Sequence, residues 1–331
     1  MRTLHLACMP FPSPQGTQAI VAEMMRALPD ATLLTYAGGT GESDVAPLRL
    51  SDFPRVCSLR SGPSLGKVAL DLRMIAELRR RVRELRPDWV IAHNVEAACV
   101  AWAARAPRWA YFAHTRFDAE LPTYSYLPGL TVVGRALDSI ATRADAVLAI
   151  TPALAEHLRG VHVMPPWPVG HVPTDEERRE ARLEGPVVLY AGNLDAYQGL
   201  DVLFEATRGM TLLVATESEG ELPPRALRWP LRDEHDRRRA HAAADLVVVP
   251  RRAPGGLPIK LLDALARDVP VVAQQRALAG LHPDGVLAVA DDDATALREG
   301  IERALANPPR GGRAWLARST DFASRFFDAL K

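Results

Sequence analysis

The chain has 331 residues, of which 48% are apolar and 24% charged, so it is long enough for two ordinary globular domains. Its 40 basic and 40 acidic residues cancel, and the overall charge therefore favours neither nucleic acid nor a membrane surface as a partner. Three scattered cysteines exclude a disulfide framework and a Cys-x-x-Cys metal site, and no run reaches the roughly 20 apolar residues of a membrane span, which predicts a cytoplasmic protein.

Short β-branched runs alternate with amphipathic stretches from the first residues onward, which predicts an α/β fold with parallel sheets. In the first half the predicted strands are 3–9, 32–36, 89–93, 109–114 and 146–150. The predicted helices include 18–28, 68–86 and 135–143. The second of these helices carries arginines from Arg73 to Arg86 between its apolar positions. We interpret that face as solvated, with attraction to anionic lipid at the inner face of the membrane as the alternative.

A proline-rich segment, MPPWPVGHVP at 164–173, cannot form a helix and predicts a hinge. After it the predicted strands are 187–190, 211–215, 246–249, 269–273 and 286–289, and the predicted helices are 200–208, 237–244, 258–267, 293–306 and 314–330. We therefore predict two nucleotide-binding halves, 1–165 and 166–310, and a C-terminal helix within 311–331 that crosses back to the first half. Ligands of such sheets bind beyond the carboxyl ends of the strands, so a cleft between the halves is the expected site.

The segment most informative about chemistry is 246–273, LVVVPRRAPGGLPIKLLDALARDVPVVA, which predicts strand, loop, helix and strand. Gly255 and Gly256 allow a ligand to approach the backbone closely. Pro258 suits the first helical turn, whose free N–H groups form an anion site for a diphosphate. Lys260 falls in the same turn, and Asp263 falls where a carboxylate could accept hydrogen bonds from a ribose diol. The alternative is a plain β-α-β unit whose glycines only form a turn.

The run GGLPIKLLDALARDVPVVA resembles the donor-site signature of glycosyltransferase family four. VLYAGNLDAYQGLDVLFEA, 188–206, is similar to the strand, loop and helix that open the donor domain in that family, including the Tyr-Gln-Gly of one branch. MPFPSPQGTQAIVAEMMRAL resembles the N-terminal glycine loop, and RPDWVIAHN and YFAHTRFDAELPTYS resemble two further strand ends. The resemblance covers nearly the whole chain and implies a GT-B fold, in which two Rossmann-like domains face a central cleft.

The resemblance implies transfer of a sugar from a nucleotide-diphosphate donor, with retention of anomeric configuration and without a metal or other cofactor. It implies a catalytic role for His114, for which capping of a strand end is the alternative. The implied donor-binding residues are Gly16, Asn193, Gln198, Gly199, Arg251, Gly255, Gly256, Leu257, Lys260 and Asp263. The acceptor, a carbohydrate, lipid-linked or small-molecule hydroxyl, would contact His93, Asn94 and Glu120, although Glu120 fits a solvated surface equally well.

The sequence departs from the family at the donor site. Two glutamates separated by seven residues are usual, and their positions fall on Gly255 and Asp263. An Arg and a Lys are usual where this chain has Asn193 and Gln198. Charge-assisted hydrogen bonds to phosphate contribute roughly 1.5–3 kcal/mol each, against about 1 for neutral ones, so these losses are expected to weaken donor binding unless other cations replace them.

By hypothesis, Arg251, Arg252 or Lys260 supplies the missing positive charge. Two rival functions stay open. One is a nucleotide-sugar epimerase, another enzyme of the GT-B type; the other, suggested by Gly255 where a Glu is usual, is a catalytically inactive GT-B protein that binds a nucleotide or sugar. The acidic run 291–293 resembles a metal clamp of another glycosyltransferase class, but it precedes a predicted helix, and we interpret it as a helix cap.

Overall fold

The computed structural model describes residues 1–13, 15–51, 65–123, 129–254, 256–319 and 321–331. It confirms the predicted α/β class and the two Rossmann-like domains, because parallel strands and intervening helices form two separate sheets. The chain divides into one unit of Met1–Pro166 with Asp321–Lys331, and a second unit of Trp167–Thr320. The proline-rich segment 164–173 is described throughout and forms neither helix nor strand.

Within its described residues, the first unit contains one parallel sheet of seven strands. They are β1 (Thr3–Ala7), β2 (Ala31–Thr35), β3 (Leu48–Arg49), β4 (Trp89–Ala92), β5 (Trp109–Ala113), β6 (Ala146–Ala149) and β7 (Val161–His162). Their order is β3-β2-β1-β4-β5-β6-β7. The strand order therefore reverses between β1 and β4, and in open sheets of this kind ligands bind beyond the carboxyl ends of the strands at that point.

The helices that surround this sheet are α1 (Gly16–Ala27), α2 (Leu65–Leu85), α3 (Val95–Ala104), α4 (Phe117–Glu120), α5 (Leu130–Ala141) and α6 (Pro152–Leu158), and a 3₁₀ turn spans Leu121–Thr123. Two of them begin directly after a strand because a polar side chain caps them. The Asn94 side chain accepts a hydrogen bond from the Ala97 N–H at 3.2 Å and starts α3. Thr151 accepts from the Leu154 N–H at 3.3 Å and starts α6.

The second unit repeats the arrangement with six described strands. They are β8 (Val187–Ala191), β9 (Thr211–Ala215), β10 (Leu227–Trp229), β11 (Leu246–Val249), β12 (Val271–Gln274) and β13 (Val286–Val289), in the order β10-β9-β8-β11-β12-β13. The helices are α7 (Asp175–Glu180), α8 (Leu200–Ala206), α9 (Glu234–Ala243), α10 (Ile259–Ala266), α11 (Gln275–Leu278), α12 (Ala294–Ala306) and α13 (Gly312–Arg318). The order again reverses between two adjacent strands, here β8 and β11.

The predicted single C-terminal helix is wrong in one respect, because the segment contains two helices in different units. Helix α13 packs against α10 in the second unit, whereas α14 (Phe322–Asp328) belongs to the first. Helix α13 ends where the Ser319 hydroxyl donates to the Trp315 carbonyl at 3.0 Å, and such a side-chain bond competes with continuation of the helix. The amphipathic pattern runs across this break and does not reveal it.

Candidate active site

A pocket of about 140 Å³ lies at the carboxyl ends of β1, β4 and β5. Its lining includes His93, Asn94, His114 and Glu120, the residues predicted for catalysis and for the acceptor. His93 directly follows β4 and His114 directly follows β5, and neighbouring parallel strands bring their carboxyl ends to one edge of a sheet. The structure therefore brings these four side chains together in the first unit.

Three histidines at this edge form a continuous row of hydrogen bonds. Nδ1 of His5, on β1, lies 2.8 Å from Nε2 of His93, and Nδ1 of His93 lies 3.1 Å from Nε2 of His114. The row begins at the Thr3 hydroxyl, 3.0 Å from Nε2 of His5. It ends at Nδ1 of His114, which is buried and has no hydrogen-bond partner in the part of the chain that the structure describes.

The histidine row is buried and is surrounded by aromatic side chains. His5 and His93 are fully buried, and His114 is 4% exposed. The ring of His5 stacks on Phe326 of α14 at 5.9 Å, and Phe112 packs against His93 at the same centroid distance. Because burial penalises the charged imidazolium, it lowers the pKa of His5 and of His114 to about 3 and that of His93 well below its usual range. All three rings are therefore neutral at physiological pH.

The same pocket contains a carboxyl group that was not predicted, Glu96 in the first turn of α3. Its Oε2 accepts a 2.9 Å hydrogen bond from the Asn94 amide. Burial raises the pKa of Glu96 to about 7, and the nearby charge of Lys67 lowers it in part. An acidic residue in a first helical turn also favours the helix dipole, but the sequence did not single out Glu96, because α3 was not predicted.

Asp118, in the short helix α4, belongs to a cluster in which oxygens of Asp118 and Asp138 and a nitrogen of His157 lie within 4.8 Å of one another. Both Asp118 oxygens already accept from the Arg116 guanidinium, at 3.0 and 2.9 Å. Arg135 adds a second guanidinium 3.8 Å from Asp118. The two guanidinium groups neutralise the acidic cluster and would oppose a cation there.

In the second unit, a buried polar network joins the loop after β8 to helix α10. Nζ of Lys260 donates to Oε1 of Gln198 at 2.9 Å, and the Gln198 amide donates to Oδ1 of Asn193 at 2.7 Å. Lys260 and Gln198 are 7% and 6% exposed. Three of the predicted donor residues are thus linked, and they lie where the order of the second sheet reverses between β8 and β11.

Two residues, Tyr190 and Gly192, have roles that follow from their closeness to the Lys260 ammonium. The ammonium lies 4.0 Å from the centre of the Tyr190 ring, a favourable cation–π distance. A Cβ at Gly192 would lie 3.0 Å from Nζ, and this residue has φ +147°, so glycine both adopts the backbone and leaves room for the ammonium. Burial, with the nearby Arg251 charge, lowers the pKa of Lys260 well below its usual range.

The loop after β11 is held against the loop after β8 through backbone groups. The carbonyl of Tyr197 accepts from the N–H groups of Arg252 and Ala253, at 2.9 and 3.2 Å. Oε1 of Gln274, at the end of β12, accepts from the Arg251 N–H at 2.9 Å. Gln274 was not predicted, because its role depends on contact with a loop 23 residues earlier.

The other predicted donor residues are placed as follows. Gly199 and Gly256 have positive φ angles of 69° and 71°, which favour glycine, and Leu257 is buried. Gly255 lies outside the described residues. Gly16 begins α1 in the first unit and does not belong to the loop network of the second.

Asp263 makes its contacts with neighbouring helices rather than with the Lys260 network. Its Oδ1 accepts from Arg267, the residue directly after α10, at 3.2 Å, and Arg237 of α9 lies 4.0 Å from Oδ2. Arg267 is 3% exposed and also binds Glu234 at 2.5 Å. Asp263 therefore neutralises a buried guanidinium, a role that spacing alone did not indicate.

Several charged groups considered from the sequence have structural partners. Arg252 binds both carboxylate oxygens of Asp201, at 2.7 and 2.9 Å. Asp293 accepts from the Ala296 N–H at 2.9 Å, which confirms the predicted cap of α12. On α2, Arg80 and Arg81 both pair with Glu77.

Among the helices of the described residues, none has the length and apolar composition that a membrane span requires.

Comparison with protein families gives two matches that together span most of the chain. The model named Glycosyltransferase Family 4 matches residues 14–174, and the model named Glycosyl transferases group 1 matches residues 185–307. A search of curated proteins gives no match. The two family matches fall in the first and the second structural unit, respectively, apart from the first family's last few residues.

Solved structures share the fold along the whole chain. The sucrose-phosphate synthase of Thermosynechococcus elongatus is 16% identical with a TM-score of 0.77, over 99% of this chain and 97% of that one. Anabaena HepE in complex with UDP-glucose is 16% identical with a TM-score of 0.71, over 99% and 98%. The UDP-forming trehalose-phosphate synthase of Burkholderia xenovorans in complex with glucose-6-phosphate is 14% identical with a TM-score of 0.68, over 100% of both. Identities this low show the fold alone.

Proposed function

Because this chain belongs to the family-four type of glycosyltransferases with the GT-B fold, we propose that it transfers a sugar from a nucleotide-diphosphate donor to a hydroxyl acceptor. We propose further that the anomeric configuration is retained and that no metal ion is required. The donor would bind the second unit, and the acceptor would bind the first. UDP-sugars are the first donors to test, because Anabaena HepE is in complex with UDP-glucose.

The observation that carries the donor site is the buried ammonium of Lys260. It lies at the reversal of strand order, in a network with Gln198 and Asn193. A buried cation attracts an anion strongly because little water screens it. Helix α10 begins beside it at Ile259, with Pro258 at its N-terminus, and unpaired N–H groups of a first turn bind phosphate oxygens. Together they would bind the diphosphate.

The same groups account for the chemistry of bond cleavage. As the bond from sugar to phosphate breaks, negative charge accumulates on the leaving diphosphate, and preorganised donors stabilise that charge more than they stabilise the substrate. Lys260 and Arg251 would supply positive charge in this proposal, and the α10 N-terminus would supply dipoles. Arg252 is less suited, because Asp201 already binds its guanidinium.

The pocket of the first unit would bind the acceptor and the reacting part of the sugar. His114 presents an imidazole nitrogen without a partner in the described chain, and Asn94, Glu96 and Glu120 offer amide and carboxyl groups. Hydroxyl groups of sugars both donate and accept, so a mixture of such groups suits them. Glu96, with its pKa near 7, could accept the acceptor's proton at physiological pH.

Thermal unfolding against a panel of nucleoside diphosphates and nucleotide sugars tests the donor site. A ligand at about 100 times its Kd adds roughly 2.7 kcal/mol to the stability of the folded state. We expect one nucleotide sugar to raise Tm and, with acceptor alcohols and oligosaccharides added, to yield a glycoside of unchanged anomeric configuration by NMR. Hydrolysis or epimerisation of the sugar without transfer would favour the epimerase. Binding without any product would favour the inactive binding protein, and binding of no nucleotide would contradict the proposal.

A further inference from the structure

The row of histidines in the first unit has a property that follows from its bonding pattern. A neutral imidazole carries one N–H donor and one nitrogen acceptor. Each bond in the row joins Nδ1 of one ring to Nε2 of the next, from His5 to His93 and from His93 to His114. If one ring donates through Nδ1, the next ring accepts at Nε2 and must carry its own hydrogen at Nδ1. The three rings therefore share a single tautomer.

Two arrangements satisfy both internal bonds. In the first, all three rings carry hydrogen at Nδ1, and His114 ends the row with a free donor. In the second, all three carry hydrogen at Nε2, and His114 ends it with a free acceptor. Burial keeps all three rings neutral. Each ring therefore retains one acceptor nitrogen, and the hydrogen bonds of either arrangement can form.

The Thr3 hydroxyl at the other end distinguishes the two arrangements. Thr3 is 3% exposed, and its hydroxyl has His5 as its sole hydrogen-bond partner among the described residues. In the first arrangement the hydroxyl donates to Nε2 of His5. In the second it accepts from that nitrogen, and its own hydrogen is buried without an acceptor. A buried polar group without a partner is unfavourable. The first arrangement leaves one such group in the free protein, the Nδ1–H of His114. The second leaves two, the Thr3 hydrogen and the acceptor nitrogen Nδ1 of His114, so Thr3 favours hydrogen at Nδ1 in all three rings.

We propose that Thr3, His5 and His93 are positioning residues that hold His114 in the Nδ1–H tautomer, so that His114 donates a hydrogen bond to an oxygen of the ligand in the first-unit pocket. The oxygen would belong to a sugar hydroxyl or a phosphate. Only this identification of the ligand rests on the proposed transferase function. The tautomer of the row is a property of the free protein.

Solution NMR of the ligand-free protein tests the tautomer directly. Protein labelled with ¹⁵N-histidine is examined by long-range ¹H–¹⁵N correlation at pH 7, where protonated and unprotonated ring nitrogens have well-separated shifts. Single His→Gln variants assign His5, His93 and His114. We expect all three to carry hydrogen at Nδ1. Hydrogen at Nε2 of His114, or different tautomers in the three rings, would overturn the proposal whether or not the protein proves to be a transferase.

Variants of Thr3 separate positioning from mere packing. Thr3→Ser retains the hydroxyl, and we expect it to retain the tautomer. Thr3→Val removes the hydroxyl, and we expect the His114 nitrogens to shift towards a mixture of the two tautomers. Thr35→Val is the matched control, because Thr35 is buried on the adjacent strand β2 and its hydroxyl donates to the Tyr36 carbonyl. An unchanged His114 spectrum in Thr3→Val would overturn the role given to Thr3.

Discussion

The Lys260 ammonium donates to Gln198 at 2.9 Å across 62 positions of sequence. Gln198 stands where the family usually carries a cation, and the structure places a cation from helix α10 within hydrogen-bond reach of that position. This contact favours Lys260 over Arg252 in the hypothesis that a relocated charge binds the donor diphosphate.

Substitution of Lys260 by Met should separate donor binding from stability. Loss of a charge-assisted hydrogen bond is expected to weaken binding of the nucleotide by about 1.5–3 kcal/mol. Stability should change less than nucleotide affinity, because two effects oppose each other: the lowered pKa of Lys260 indicates that its charge is costly to bury, whereas its removal leaves the buried Gln198 oxygen without a donor. Isothermal titration with the nucleotide that stabilises the wild type measures the first effect, and urea unfolding measures the second.

Lys331→Met is the control for Lys260→Met, because Lys331 is exposed and pairs with Asp328 at the C-terminus. It should leave nucleotide affinity unchanged. If Lys260→Met binds the nucleotide as tightly as the wild type, the donor diphosphate does not contact Lys260.

Asp263 should prove important for stability even without a ligand. Replacing it by Ala would leave the buried Arg267 guanidinium with the exposed Glu234 as its one carboxylate partner among the described residues, and an incompletely paired buried charge is costly. We expect the free energy of unfolding to fall by about 1.5–3 kcal/mol. Asp263→Asn, which keeps a hydrogen-bond acceptor, should lose less. Equal urea midpoints for wild type and Asp263→Ala would show that the ion pair contributes nothing and would favour a role confined to the ligand.

Glu96→Gln should stabilise the protein at alkaline pH. The folded pKa of about 7 lies above the ordinary 4.5, so the folded state binds more protons between these values, and stability falls as pH rises through that window. At pH 8 the charged carboxylate costs up to about 3 kcal/mol, which Gln removes. Urea unfolding at pH 5 and pH 8 should show a gain mainly at pH 8. Glu302→Gln on the exposed side of α12 is the control, and an equal gain at both pH values would contradict the shifted pKa.

The sequence predicted the central strands well because uninterrupted apolar runs rich in β-branched residues, such as LVVV at 246–249, favour a buried strand over a helix or loop. It missed β3, β7 and β10, which have only two or three residues, too few to establish a period. It also missed α3, whose sequence VEAACVAWAA is apolar on almost every side and so has no amphipathic period.

At the candidate site, His93 and His114 were predicted from the resemblance of their segments to the family, and the structure places both at the carboxyl ends of neighbouring strands. His5 was missed because it lies inside β1, and a histidine within a strand gives no indication of which neighbouring strands will bring other histidines to it. The contacts of Lys260 with Gln198 and of Gln274 with Arg251 depend on the packing of separate loops, which no local pattern encodes.

Acid should destabilise the protein through its buried histidines. Burial lowers the pKa of His5, His93, His114, His162 and His241. The unfolded chain then binds more protons than the folded one below the unfolded value of 6.5, so their stabilisation is fully present above that pH and is lost as pH falls towards the folded values. His5 and His114, whose pKa falls to about 3, each contribute a slope of up to about 1.4 kcal/mol per pH unit between that value and 6.5.

The histidine slope is best measured in the Glu96→Gln background, because Glu96 titrates with the opposite sign between pH 4.5 and about 7. Urea unfolding at pH 5, 6 and 7 should show stability that falls with acid, and His5→Gln in that background should reduce the slope by about 1.4 kcal/mol per pH unit. An unchanged slope in His5→Gln would mean that this imidazole is already charged or hydrated in the folded protein.

Phe326 of helix α14 should keep His5 buried and its pKa low. It is fully buried, and its ring lies 5.9 Å from His5 and 6.3 Å from Phe112. Phe326→Ala is expected to cost about 3–5 kcal/mol of stability and, by admitting water, to raise the pKa of His5 from about 3 towards its ordinary 6.5. Phe327→Ala, a partly exposed neighbour on the same helix, is the matched control. If the ¹⁵N-histidine titration of Phe326→Ala matches that of the wild type, the Phe326 ring does not exclude water from His5. Phe327→Ala should match the wild type in either case, because it leaves the Phe326 ring in place.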